Sequence, residues 1–226
     1  MKQFKTTLWV LMLALAAVVA TSCNTETHAD NDGILYDIVT FQSQSEDGSV
    51  FVLQTGPSTP EILLSSTRQL DLEKVPLGSR VVIAYTTRNG LKPTVNSPID
   101  LITLAQVHTA DLIKAASGFE SEMVSLTSTW LTGTWLNFDL NANVSEQPKK
   151  FELVVDESTL DQKMPTVYLL FESDDPRATQ KHCYASFNVA WLWEDPRYDG
   201  FTLIVCNGNG PHKYEFKSRE TIKPVG

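Results

Sequence analysis

From Ile34 onward the chain is cut into short β-prone runs by turn-forming residues, and this punctuation limits its fold more than any other feature. Asp47-Gly48, Gly56-Pro57, Asp174-Asp175-Pro176, Asp195-Pro196 and Asn207-Gly208-Asn209-Gly210-Pro211 are each able to stop a strand ladder. The runs between them favour the extended chain. Residues 79–88 are the clearest case, with Val81, Val82, Ile83, Tyr85, Thr86 and Thr87. An all-β protein is the expectation.

The pattern divides in two. Residues 34–118 carry strand signals at 34–41, 49–55, 61–64, 79–88 and 99–107. A helix is expected from Ser66 or Thr67, with Leu70 and Leu72 inside it and Pro76 and Gly78 ending it. A second, short helix is expected at 111–116, before Gly118. Five strands with a helix before the fourth is the order of an OB-like barrel. Residues 119–226 read as about seven strands, which fits a β-sandwich. They fall at 122–126, 130–141, 151–156, 166–172, 182–193, 201–206 and 213–217.

The first 33 residues have another character. Lys2 and Lys5 precede an apolar stretch from Leu8 to Ala20, and small residues lead to Cys23. That stretch is about 13 residues long, short of the roughly 20 needed to span a bilayer, so residues 1–22 read as an export signal. Ala20-Thr21-Ser22-Cys23 resembles the lipobox of bacterial lipoproteins, with Ala20 in place of the usual Leu. The resemblance implies that Cys23 is acylated and ties the protein to a membrane. Residues 23–33 are polar and small and read as a flexible tether.

Charge narrows the partners. The chain stands at −9, and losing Lys2 and Lys5 with the signal makes it more acidic still. It has no basic run to attract phosphate backbones, so no nucleic-acid partner is expected. Anionic headgroups are equally unattractive, which leaves membrane attachment to the acyl chains.

Two thiols remain, Cys183 and Cys206. In an exported protein they either pair, closing a loop worth roughly 3 kcal/mol, or serve as small buried core residues. Spacing does not choose between these. The histidines at 28, 108, 182 and 212 are too scattered for a zinc site. No nucleophile elbow, P-loop, zincin helix or dinucleotide fingerprint occurs. No metal and no cofactor is implied.

Two longer motifs are more specific. Pro76-Leu77-Gly78-Ser79-Arg80-Val81-Val82-Ile83-Ala84-Tyr85 enters the fourth strand, and Trp130-Leu131-Thr132-Gly133-Thr134-Trp135-Leu136-Asn137-Phe138 opens the sandwich. Together with the lipoprotein signal, the Tyr184-Ala185-Ser186-Phe187 strand and the closing 201–216 hairpin, they resemble the NigD-like lipoproteins of Bacteroidetes. The resemblance implies an N-terminal OB-like domain before a C-terminal sandwich, and it carries no catalytic motif across.

Candidate ligand contacts are aromatic. Trp130 and Trp135 have opposite parity along a single strand, which places one of them at an exposed end of the sandwich. Trp191 and Trp193, two apart in an expected strand, would share a face with Phe187 and Val189, either as a platform for sugar rings or, the favoured reading, in the core. Glu172, Asp174, Asp175, Glu194, Asp195 and Asp199 edge consecutive strands and could gather at one end, as for calcium or a carboxylate pair.

The function expected is therefore a lipid-anchored outer-membrane protein, its facing undecided, that binds a glycan or an envelope protein without catalysis. Residues 49–64, the usual OB contact region, would carry the ligand. The alternative is an envelope glycoside hydrolase with an unrecognised carboxylate pair. A third reading, nucleic-acid binding, would need Arg68, Lys74, Arg80 and Arg88 to converge into a stripe.

Overall fold

The computed structural model describes residues 33–88, 90–144, 150–173 and 178–218. The signal at 1–22, Cys23, the tether up to residue 32, and Asp174 and Asp175 lie outside the described residues.

Alternation of buried and exposed residues builds the first domain. Strands β1 (Leu35–Ser45), β2 (Gly48–Leu53), β3 (Ile62–Ser66), β4 (Arg80–Thr87) and β5 (Asn96–Gln106) close into a barrel in the order β1-β2-β3-β5-β4. This is the OB-type order, closed by a parallel pairing of β3 with β5. Leu35, Val39, Phe41, Phe51, Leu64, Val81, Ile83 and Tyr85 fill the interior. Gly48 starts β2 at a φ of 129°, where a Cβ would overlap the carbonyl of Ser66.

The expected helix after Ser66 does not form. Asp71 accepts from the backbone N–H groups of Lys74 and Val75, and the segment goes no further than turns. Leu70 and Leu72 cannot share a helical face at that spacing. Leu70 packs on the barrel core while Leu72 stays exposed, and Val75 completes the plug.

The second expected helix is also replaced. Its residues become β6 (His108–Asp111) and β7 (Ile113–Ala115), the edge strands of two different sheets. Six residues make a poor helix nucleus. Here their backbone groups instead pair in parallel with the second domain, and buried Leu112 sits at the switch between sheets. The sandwich therefore begins at His108, not at residue 119.

The remaining elements are β8 (Ser125–Thr132), β9 (Trp135–Val144), β10 (Lys150–Asp156), β11 (Thr166–Glu172), β12 (Thr179–Asn188), a one-turn helix α1 (Ala190–Trp193), β13 (Gly200–Asn207) and β14 (Gly210–Lys217). They form a five-stranded sheet, β14-β13-β11-β10-β7, against a four-stranded sheet, β6-β12-β9-β8. Phe138, Leu140, Phe151, Phe187, Phe201 and Leu203 fill the space between. The sandwich thus has nine described strands where about seven were expected. The excess is β6 and β7.

Parity along the strands decides how the domains meet. On β1 and β4, Tyr36, Ile38, Thr40, Arg80 and Val82 point out of the barrel. On β8, β9 and β12, Trp130, Thr132, Trp135, Asn137, Tyr184 and Ser186 point out of the sandwich. These outer faces lie against each other, with Ile38, Val82 and Val107 packed on Trp130 and Tyr184.

Candidate functional site

Where the two faces diverge, a cleft of about 820 Å³ opens between the domains. Its barrel side is the outer face of β1 and β2, with Thr40, Gln42, Val52 and Gln54, continued by Pro57 and Glu61. The sandwich side has two parts. One is the β8–β9 hairpin tip, Gly133-Thr134-Trp135, and the other runs from Trp193 through Pro196 to Tyr198.

Gly133 brings the hairpin close. Its N–H donates to the Gly56 carbonyl at 3.2 Å, and its φ is 57°. A Cβ there would overlap the Gln54 amide oxygen, so only glycine allows this approach without a shift.

Arg80 forms the inner wall. It heads β4, is 5% exposed and reaches from the barrel into the sandwich face. Its Nε donates to Ser186 Oγ at 3.2 Å, and Nη2 donates to Asn137 Oδ1 at 2.8 Å and Thr132 Oγ1 at 3.3 Å. Nη1 donates to Thr40 Oγ1 at 3.1 Å, and the guanidinium lies 5.4 Å from the Trp135 ring centre. Ser186 and Asn137 are themselves bonded, so the acceptors are held in place. Every acceptor in this network is neutral. Burial pulls the guanidinium down from its ordinary range to about 10.

Trp193 packs edge-on against Phe201, 6.0 Å between ring centres, and turns toward the cleft. Tyr198 is buried and donates to the Leu160 carbonyl at 3.1 Å, which pins the loop. Asp195 is spanned by Arg197, whose Nε and Nη2 donate at 2.9 and 2.6 Å; these bonds hold the carboxyl below its ordinary range.

The residues expected to carry function are distributed as follows. Trp135 lines the cleft; Trp130 does not and is packed between the domains. The parity expectation for this pair fails because a turn at Gly133-Thr134 separates them. Across a hairpin, opposed residues share a face, so both point outward from the sandwich.

Trp191 and Trp193 do not lie on a strand, since β12 ends at Asn188 and α1 follows. Trp191 is exposed, donates to the Leu112 carbonyl and has Lys114 over its ring, so it is not a core residue. Among the described acids, Glu194 and Asp195 line the cleft, but the set does not gather at one end. Glu172 ends β11 and Asp199 precedes β13, and these parallel neighbours place them at opposite ends of the sheet. No group of three or more metal-ligating side chains forms among the described residues.

Cys183 and Cys206 are not joined. Cys183 points into the sandwich core, whereas Cys206 alternates with core residues Leu203 and Val205 and lies on the outer side of the opposite sheet. A bridge would require turning β13 over. The four cations form no stripe, since Arg80 is buried and Lys74 pairs with Asp71 at 3.0 Å.

Of the barrel region expected at 49–64, the cleft takes Val52, Gln54, Pro57 and Glu61. Gln42 is not singled out by the sequence, Arg80 enters there as a contact residue only in a cationic stripe, and Trp193 is assigned there to the core. Arg80 left one trace, a cation heading a strand that is otherwise apolar through Tyr85.

Fold and cleft together define a two-domain all-β protein, a closed five-stranded barrel followed by a sandwich, with a large cleft at the junction. No protein-family model matches the sequence, and no curated protein does. Solved structures do share the fold. The chain is similar to a protein of unknown function, DUF1344, from Bacteroides vulgatus, at 17% identity over 85% of this chain and 94% of that one, with a TM-score of 0.66. It is similar to a candidate lipoprotein from Bacteroides fragilis, at 12% identity over 83% and 99% of the chains, with a TM-score of 0.57. It is also similar to a NigD-like immunity protein from Bacteroides caccae, at 16% identity over 80% and 96%, with a TM-score of 0.53. The fold expected from the NigD-like resemblance is thus the fold found.

Proposed function

We propose that this protein is a non-enzymatic binding module of the bacterial cell envelope, held at the outer membrane by an acylated Cys23, and that it takes a glycan into the cleft between its domains. The observation that carries this is the make-up of the cleft wall. Two indole rings, Trp135 and Trp193, stand beside the planar hydrogen-bonding groups of Gln42, Gln54, Glu61 and Arg80. Indole faces suit the apolar faces of sugar rings, and amides and carboxylates suit their hydroxyls. A volume of about 820 Å³ is within the range of small-molecule sites and has room for a short oligosaccharide. The likeness to a candidate lipoprotein supports the envelope address.

Titration of the protein with a panel of envelope and dietary oligosaccharides, followed by indole fluorescence, tests the reading. Saturable quenching that Trp193→Ala abolishes is expected. A flat response across the panel would remove the glycan and leave a protein partner. Release of new reducing ends, lost in Glu61→Gln and Glu194→Gln, would replace binding by hydrolysis. For the address, Cys23→Ala should shift the protein from the membrane pellet to the soluble fraction.

A further inference from the structure

Arg80 is a buried cation with only neutral acceptors around it. Buried charges are ordinarily paired, because an uncompensated ion out of water costs several kcal/mol. Its hydrogen bonds are not evenly spread. Nε and Nη2 are held by Ser186, Thr132 and Asn137, none of which lines the cleft. Nη1 is held by Thr40, which does line it. Nη1 carries two N–H groups, and the second has no acceptor among the described residues. The open donor therefore belongs to the cleft end of the guanidinium, and the three N–H groups of Nε and Nη2 are anchored behind it.

We infer that the ligand in this cleft is an acidic saccharide and that the Nη1 end of Arg80 receives its carboxylate. The inference rests on the glycan reading above and adds the charge of the ligand to it. The rest of the wall sets the number of charges. Asp195 is already spanned by Arg197, but Glu61 and Glu194 keep their acceptor oxygens for sugar hydroxyls and repel further anions. The site thus suits one carboxylate set among hydroxyls, as in a sialylated or singly uronate-bearing oligosaccharide, and disfavours a polyanion.

The test uses the wild-type full chain, so it does not depend on an Arg80 variant folding. Sialylated, glucuronate-bearing and galacturonate-bearing oligosaccharides are each titrated beside their carboxyl-reduced counterparts. At least one acidic member should bind about tenfold or more tightly than its reduced form, the scale of one charge-assisted hydrogen bond. Equal binding of the two forms would overturn the carboxylate assignment while leaving a glycan site. No binding by any member would overturn both. Arg80→Lys supplies a further check. It keeps the charge but loses the fork, so it should lower affinity for the acidic ligand by a larger factor than for the reduced one.

Discussion

Two half-buried side chains show how single residues set local stability. Asp37 points into the barrel end and accepts from Tyr85 Oη at 2.8 Å. Burial raises its carboxyl from 3.8 to about 6, against the lowering effects of the Tyr85 bond and Lys92. The folded state thus keeps a proton that the unfolded state releases near 3.8. Stability should fall as pH rises from about 4 to 6 and then level, by on the order of 2 kcal/mol. Asp37→Asn should flatten that region of a pH series of urea titrations; an unchanged slope would count against the assignment. Thr129 on β8 buries a hydroxyl that has no partner among the described residues. Thr129→Val keeps the β-branched shape and removes the unmet group, so it should raise stability by about 1 kcal/mol, seen as a higher melting temperature.

At the scale of elements, two glycines hold close approaches of different kinds. At Gly48 the obstacle to a Cβ is the Ser66 backbone carbonyl in the neighbouring strand, and at Gly133 it is the end of the Gln54 side chain. Backbone cannot swing aside, and a glutamine can. Gly48→Ala should therefore cost more than Gly133→Ala, roughly 3 against 1 kcal/mol by chemical denaturation. Adding Gln54→Ala to Gly133→Ala should leave only the positive-φ strain; equal costs at the two sites would contradict the geometry. The break expected at Asp47-Gly48 falls at a hairpin, one residue earlier than the pair itself. Gly48 pairs with Ser45 as the first residue of β2, so the turn itself is Glu46-Asp47. The strands were legible because alternation is local. The second replaced helix was not, because 108–115 finds its partners on β10 and β12, far along the chain.

For the whole molecule, the junction makes one body from two domains. Ile38 and Val82 of the barrel share a small apolar cluster with Trp130 and Tyr184 of the sandwich, and Arg80 adds hydrogen bonds beside it. Truncating Trp130 to Ala removes most of that contact, which should cost about 3 kcal/mol and separate the unfolding of the two domains. Calorimetry should show one transition in the wild type and two in Trp130→Ala; one transition in both would mean that the coupling lies elsewhere. The cleft depends on the same junction, since neither domain forms it alone.

What the amino-acid order determined unaided was the β character and the run of strands through barrel and sandwich. Both follow from two-residue periodicity and turn chemistry within short windows. Which outer faces would be covered was decided only by tertiary structure. Trp130 and Trp135 point the same way because a two-residue turn folds their strands together, and Arg80 is buried because a sheet more than 50 residues away supplies its acceptors. Periodicity tells which side chains stand together on a face; only the meeting of two such faces tells whether they see water, a neighbour or a ligand.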